Sequence, residues 1–281
     1  MTIQVENVKK SFGTKPVLNE ISFTVPEGEI FSLIGPNGAG KTTTLRCIFG
    51  DLQPERGKIQ LFGREFHPRL KDRIAVMTED RLTFHRFRGE DYVKLWKMLY
   101  SQWNDKIFSN FALHYRFSMD ERVETFSMGM KTLFYIALTM ASGADLLLLD
   151  EPTQNLDPVI RQEVLNLLRD YVHAEGKTVV ISSHEIYELE EISTSFAIIR
   201  EGTVLYSDAI DDAKENHRLI HQGETLPEKG QVIGLVGNDS LVRTDQEIGR
   251  YPNFKELVLG YLKGSKRFTP FEDSRTSIFE S

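Results

Sequence analysis

Nine consecutive residues, Gly35-Pro-Asn37-Gly38-Ala39-Gly40-Lys41-Thr42-Thr43, have the types and spacing needed to hold a polyphosphate. They match G-x-x-x-x-G-K-[S/T] at every fixed position. Glycines let backbone N–H groups converge on phosphate oxygens, and a helix opening behind them adds its positive dipole end. In this reading Lys41 reaches the outer phosphates, the Thr42 hydroxyl ligates Mg²⁺, and Asn37, Ala39 and Thr43 complete the cradle.

A second constellation lies more than a hundred residues on, at Leu146-Leu-Leu-Leu-Asp150-Glu151-Pro152. An apolar strand that ends in an acid puts the acid at the carboxyl edge of a parallel sheet, where ligands bind in such folds. Asp150 there suits a hard cation such as Mg²⁺. Glu151, one residue past the strand, is placed to polarise an attacking water, which favours hydrolysis over phosphoryl transfer to a second substrate.

These groups need a scaffold. Ile30-Phe-Ser-Leu-Ile34 reads as a buried strand before the phosphate loop, and the helix after it ends near Gly50. Residues 17–25 alternate with near period two, and 57–63 and 73–77 read as further strands. From 86 to 125 the chain turns aromatic with helical spacing, as in Tyr92-Val-Lys-Leu-Trp96-Lys-Met-Leu-Tyr100. A further helix opens at Ser127, so a helical subdomain is predicted over about 86–141. Strands at 145–149, 178–182 and 196–199 alternate with helices near 158–174 and 184–192 as βαβ units. The expected fold is therefore α/β: a phosphate-loop NTPase core with a mostly parallel sheet, an antiparallel β subdomain and a helical subdomain. One domain is predicted over residues 1–206, followed by an accessory segment, 207–281, with two modest strands, a helix at 254–262 and a mobile tail.

Composition narrows the class. The 281 residues carry a net charge of −7, which disfavours nucleic acid as a partner. The single Cys47 excludes an internal disulfide, reads as a small core hydrophobe and fits a reducing cytosol. No apolar run approaches the ~18 residues that span a bilayer. The N-terminus lacks the basic and apolar regions of a signal peptide. The chain is thus expected in the cytoplasm, reaching a membrane only through a partner.

Taken in order, the phosphate loop, helical insert, Asp-Glu-Pro and a late Ser182-Ser-His184 resemble the nucleotide-binding subunit of an ABC transporter, of the bacterial export-type two-component branch. The resemblance covers residues 1 to about 206. It implies an ATPase fold and an adenine-stacking ring at Phe12. It also implies a γ-phosphate contact at His184, which with Glu151 acts on water. Ser127 and Gly129, of Phe126-Ser-Met-Gly-Met130, would contact ATP held by another subunit, and Asp157 lies in the loop that meets that subunit. Two departures stand out: Met128 replaces a glycine of the signature, and Glu79 stands where the family carries glutamine, so a carboxylate there is a further candidate ligand for Mg²⁺.

With one phosphate loop and one signature per chain, the resemblance implies a head-to-tail dimer around two ATP, either a homodimer or a heterodimer with a second ATPase subunit. It further implies an integral membrane permease as a separate chain, gripped by the helical insert, with this subunit peripheral on the inner face of the membrane. The competing reading is a soluble or regulatory ABC ATPase. A small GTPase would need an N-K-x-D motif, which is missing, and a dinucleotide oxidoreductase would want glycine where Thr43 stands.

Overall fold

Short apolar runs bounded by glycine, proline and polar turns become strands in the computed structural model, which describes residues 1–81 and 83–264. The chain begins with β1 (Ile3–Phe12), β2 (Lys15–Val25) and β3 (Ile30–Ile34), then α1 (Lys41–Phe49). Next come β4 (Arg56–Leu61), β5 (Arg64–Glu65) and β6 (Ile74–Met77), and the helices α2 (Gly89–Leu99), α3 (Asp105–His114) and α4 (Met128–Ala141). The alternating stretch is β7 (Leu146–Asp150), α5 (Pro158–Glu175), β8 (Thr178–Ser183), α6 (Ile186–Glu190) and β9 (Ser195–Arg200). It is followed by β10 (Thr203–Ala209) and α7 (Ile210–Glu215), and then by β11 (His217–His221), β12 (Gln231–Val236), β13 (Asp239–Arg243) and α8 (Phe254–Lys263). None of the described helices is long and apolar enough to cross a membrane.

The chain divides into two compact units, Met1–Asp212 and Ala213–Ser281. In the first, a six-stranded sheet has the order β10-β9-β3-β8-β7-β6, parallel except for the edge strand β10. β3, β7 and β8 are buried along their whole length, as strands covered on both faces must be, so their sequences are nearly continuous apolar runs. A second, antiparallel sheet has the order β2-β1-β4-β5. Its strands alternate buried and exposed positions, and their apolar side chains join β3 and α1 in one core.

The sheet order sets the site. β8 lies between β3 and β7, with Ile34 opposite Ser183 and Asp150 opposite Ser182. All three strands therefore end at one edge, about 10 Å across at ordinary strand spacing. The chain leaving β3 is the glycine loop, the chain leaving β7 begins with Glu151, and the chain leaving β8 begins with His184.

The helices α2, α3 and α4 close around Phe134, which is fully buried. Tyr92, Phe108, Phe117 and Phe126 meet its ring edge-on at centroid separations of 5.4–6.0 Å. Among the aromatics of the insert, Tyr92, Trp96, Tyr100, Phe108 and Phe111 are buried. Cys47 is buried in the core as well, and burial pushes its thiol up to about 11, so it stays protonated and unreactive at neutral pH.

The second unit is a three-stranded antiparallel sheet, β11-β13-β12, with α8 packed on β12. The packing is close because Gly234 faces Gly260: a Cβ on Gly234 would lie 2.2 Å from the Gly260 carbonyl oxygen. His217 is buried between the Ala213 carbonyl, 2.7 Å away, and the Tyr261 hydroxyl, 2.9 Å away. Two strands here and in the main sheet escape a reading of the sequence, β10 and β13. Each follows a two-residue turn, Glu201-Gly202 with both φ positive and Gly237-Asn238, and each is short and half polar. The mobile tail expected at the C-terminus lies outside the described residues.

Phe134→Ala removes the ring on which four others lean. It should cost about 3–5 kcal/mol of unfolding free energy, read as a lower denaturant midpoint. An unchanged midpoint would mean that the aromatic cluster is not what stabilises the helical part.

Candidate nucleotide and hydrolysis site

The phosphate loop has its shape because particular positions admit no side chain. A Cβ on Gly35 would lie 2.2 Å from the Ile199 carbonyl oxygen, and Gly40 adopts φ 110 as the residue capping α1. The loop therefore turns tightly against β9 and delivers the backbone N–H groups of Lys41, Thr42 and Thr43 at a helix start with no acidic residue in its first turn. Lys41 folds back over the loop. Its Nζ donates to the Gly35 carbonyl at 2.8 Å and stands 3.3 Å from Glu151 Oε1, with both side chains almost wholly buried.

At the end of β7, Asp150 is buried, and Ser182 Oγ and the Thr42 hydroxyl both donate to its carboxylate. Burial pushes this carboxyl above the ordinary carboxylate range. Glu151 adds to the rise, while the hydrogen bonds from Ser182 and Thr42 and the charge of Lys41 oppose it. Glu151 is turned into the site by a left-handed backbone, φ 48. Its N–H donates to the Ser182 carbonyl at 3.1 Å. Its Oε2 lies 3.0 Å from His184 Nδ1, whereas the buried Oε1 accepts no aligned hydrogen bond among the described residues. A carboxylate with one oxygen beside an imidazole and the other facing only the Lys41 ammonium is chemically suited to take a proton from water once that cation is drawn away.

Lys41, Thr42, Asp150, Glu151 and His184 thus form one connected cluster, with Gly35, Asn37, Gly38, Ala39, Gly40 and Thr43 in the loop around it. Glu79 is exposed and shares with Thr42 the lining of a polar cavity of about 470 Å³. Phe12, at the end of β1, keeps its ring half exposed, with Lys10 Nζ 5.8 Å from the ring centre.

Three of the expected residues lie apart from the cluster. Ser127 caps α4 by accepting from Met130 N at 3.2 Å, and Gly129 packs where a Cβ would meet the Asn155 carbonyl at 3.1 Å. Asp157 caps α5, its Oδ1 accepting from Val159 N and Ile160 N at 3.1 Å each. None of the three shares a hydrogen bond or ion pair with the cluster among the described residues. The Met128 side chain is exposed beside Ser127.

Reading the sequence missed two contributors. Ser182 bonds Asp150 because β8 lies beside β7, and its serine was visible only as part of Ser-Ser-His. Arg81, buried after β6, gave no signal beyond its place next to two acids. A second cavity, of about 420 Å³, is lined by Thr42 and Asp150 together with Phe84, Tyr92, Trp96 and Tyr135.

The family model described as ABC transporter matches residues 18–154. The lantibiotic transport ATP-binding protein SrtF of Streptococcus pyogenes is 31% identical over 81% of this chain and 99% of its own. The bacitracin transport ATP-binding protein BcrA of Bacillus licheniformis is 26% identical over 99% of this chain and 95% of its own. Among solved structures, an ATP-binding subunit of an ABC transporter superposes with a TM-score of 0.69 at 26% identity, over 76% of this chain and 92% of its own. The chain belongs to the ABC transporter family, and within it is an ATP-binding subunit with ATPase activity.

Proposed function

We propose that this subunit powers export through a separately encoded membrane permease, and that it does so as a head-to-tail dimer which closes on ATP. The observation that carries the reading is the division of labour within one chain. The phosphate loop, Asp150, Glu151 and His184 are assembled, while Ser127 and Gly129 stand elsewhere at the open start of α4. A helix start with free N–H groups is an anion site, and in this reading it serves the nucleotide of the partner. Asp157, in the loop before α5, then belongs to the seam. The cavity above Thr42, walled by Phe84, Tyr92 and Trp96, is the proposed seat of the permease, which would hold the subunit on the inner face of the membrane.

Chemistry follows from the cluster. The outer phosphates compete with Glu151 for Lys41, because both are anions and the lysine is the cation between them. Once Lys41 turns to phosphate, Glu151 is free to accept a proton from a water aimed at the γ-phosphorus. His184, on Oε2, holds the carboxylate in line. The exposed ring of Phe12 offers its face to adenine.

The donors also fit Mg²⁺. Among the described residues no group of three or more His, Cys, Asp or Glu could hold a metal alone. The Thr42 hydroxyl and Asp150 supply hard oxygen donors, with Glu79 nearby, and phosphate oxygens and water would complete the shell. When bound, the ion would neutralise charge developing between the β- and γ-phosphates.

Glu151→Gln should lower ATP turnover by about 10²–10⁴-fold while retaining ATP binding, and should accumulate an ATP-dependent dimer on gel filtration. Turnover at the unaltered rate would remove Glu151 as the base, and a specific activity that does not rise with protein concentration would remove the dimer. Lys41→Ala should weaken ATP binding about 10- to 100-fold, the worth of a charge-assisted contact, measured by titration with a fluorescent ATP analogue.

Asp150→Asn tests the electrostatics. Because the folded carboxyl is raised, the native state binds its proton more tightly than the unfolded chain, so stability falls as pH rises from the ordinary carboxylate value through the folded one. The penalty is complete once the pH has risen above the folded value. Asparagine carries no charge and keeps the polar contacts. It should raise the thermal midpoint at pH 7 by a few degrees, flatten the acid-side dependence, and abolish turnover; a lower midpoint at pH 7 would refute the cost assigned to the buried charge.

A further inference from the structure

Arg81 follows β6 and is 3% exposed, an expensive place for a guanidinium unless it does something there. Burial pulls its pKa down, and Glu79, Asp150, Glu151 and Asp80 resist that fall. Its Nη1 donates to the Glu79 carbonyl and its Nη2 to the Glu151 carbonyl, while its buried Nε has no hydrogen-bond partner. The planar fork therefore joins the loops that follow the paired strands β6 and β7, beyond the last pair of their ladder, Met77 with Leu149.

One of those segments is the turn that aims Glu151. A left-handed backbone costs a residue with a Cβ about 1–2 kcal/mol, so the turn persists only if its two peptide groups are held. Ser182 holds the first, accepting the Glu151 N–H at 3.1 Å. The second is the carbonyl that Arg81 grips. The Gln154 N–H also donates to that carbonyl, at 3.2 Å. Without the charged grip of Arg81 this single neutral bond is left to hold the peptide after Glu151, and the strained backbone that aims the carboxylate at His184 and Lys41 is less firmly fixed.

We propose that Arg81 is a positioning residue for ATP hydrolysis: it clamps the Glu151 carbonyl to the loop after β6 and so fixes the direction of the Glu151 carboxylate. The proposal rests on the reading of Glu151 as the base. It needs no contact between Arg81 and the nucleotide, which makes it separable from a binding role.

The test uses the full chain and its R81A, R81K and E151Q variants, with steady-state ATP turnover and titration with a fluorescent ATP analogue. R81A should lower kcat about 10- to 100-fold, as loss of a charged hydrogen bond that holds a catalytic group does. KM and analogue affinity should stay within about twofold. R81K keeps the charge but replaces the planar two-pronged fork with donors on one nitrogen, so it should fall between R81A and the unaltered protein. If R81A does not fold, R81K alone decides: an intermediate kcat supports the clamp and full turnover overturns it. A fully active R81A also overturns it. So does a fall in kcat matched by an equal fall in nucleotide affinity that lysine does not relieve, because that pattern marks a support of the fold only. E151Q separates the two readings: full turnover there defeats the assignment of the base, whereas an inactive E151Q beside a fully active R81A defeats the clamp alone.

Discussion

Two adjacent carboxylates are kept buried at the edge of one sheet, and the rest of the site is the set of contacts that makes this possible. Burial raises the pKa of the Asp150 carboxyl, and the charge of Glu151 beside it adds to the rise. The chain answers with donors fixed in place. Ser182 and Thr42 bond Asp150, Lys41 faces Glu151 at 3.3 Å, and His184 takes the other Glu151 oxygen at 3.0 Å. Buried pairs of this kind add little net stability, because desolvation consumes most of the Coulombic gain. In the proposed mechanism their value lies in function: the cation beside Glu151 is the one a triphosphate would claim.

Strand order makes the contacts possible. β8 between β3 and β7 sets Ser182 directly beside Asp150 and brings Ser183 next to the end of β3. The loops that follow those strands then emerge side by side. An edge built from three fully buried strands is rigid, so the donors are positioned by the core rather than by the loops that carry them. The glycine loop meets the same demand from below, because Gly35 lies against the backbone of β9 too closely for any side chain.

The helical part follows a different logic. Its aromatic residues pack mainly on one another around Phe134, so it holds a core of its own. At the N-terminus of α4 Ser127 spends its hydroxyl as a helix cap, and Ser127 and Gly129 share no hydrogen bond or ion pair with the cluster among the described residues. A site divided in this way is what the proposed head-to-tail dimer would complete, each α4 start meeting the nucleotide of the other subunit.

Much of this was legible in the linear chain. Periodicity and glycine spacing determined the buried strands at Ile30–Ile34, Leu146–Asp150 and Thr178–Ser183, the phosphate loop between strand and helix, and the acids at a strand end. Those signals are local: a run of apolar residues, a turn that only glycine allows, a charge where the run stops. β10 and β13 stayed hidden because short, half-polar strands owe their form to the neighbours they pair with. Tertiary structure alone decided that Ser182 would bond Asp150, that Lys41 would pair with Glu151 across 110 positions of chain, and that Arg81 would be buried against a carbonyl 70 residues away. Such partners have no pattern in sequence, because the distance that joins them exists only after the sheet has closed.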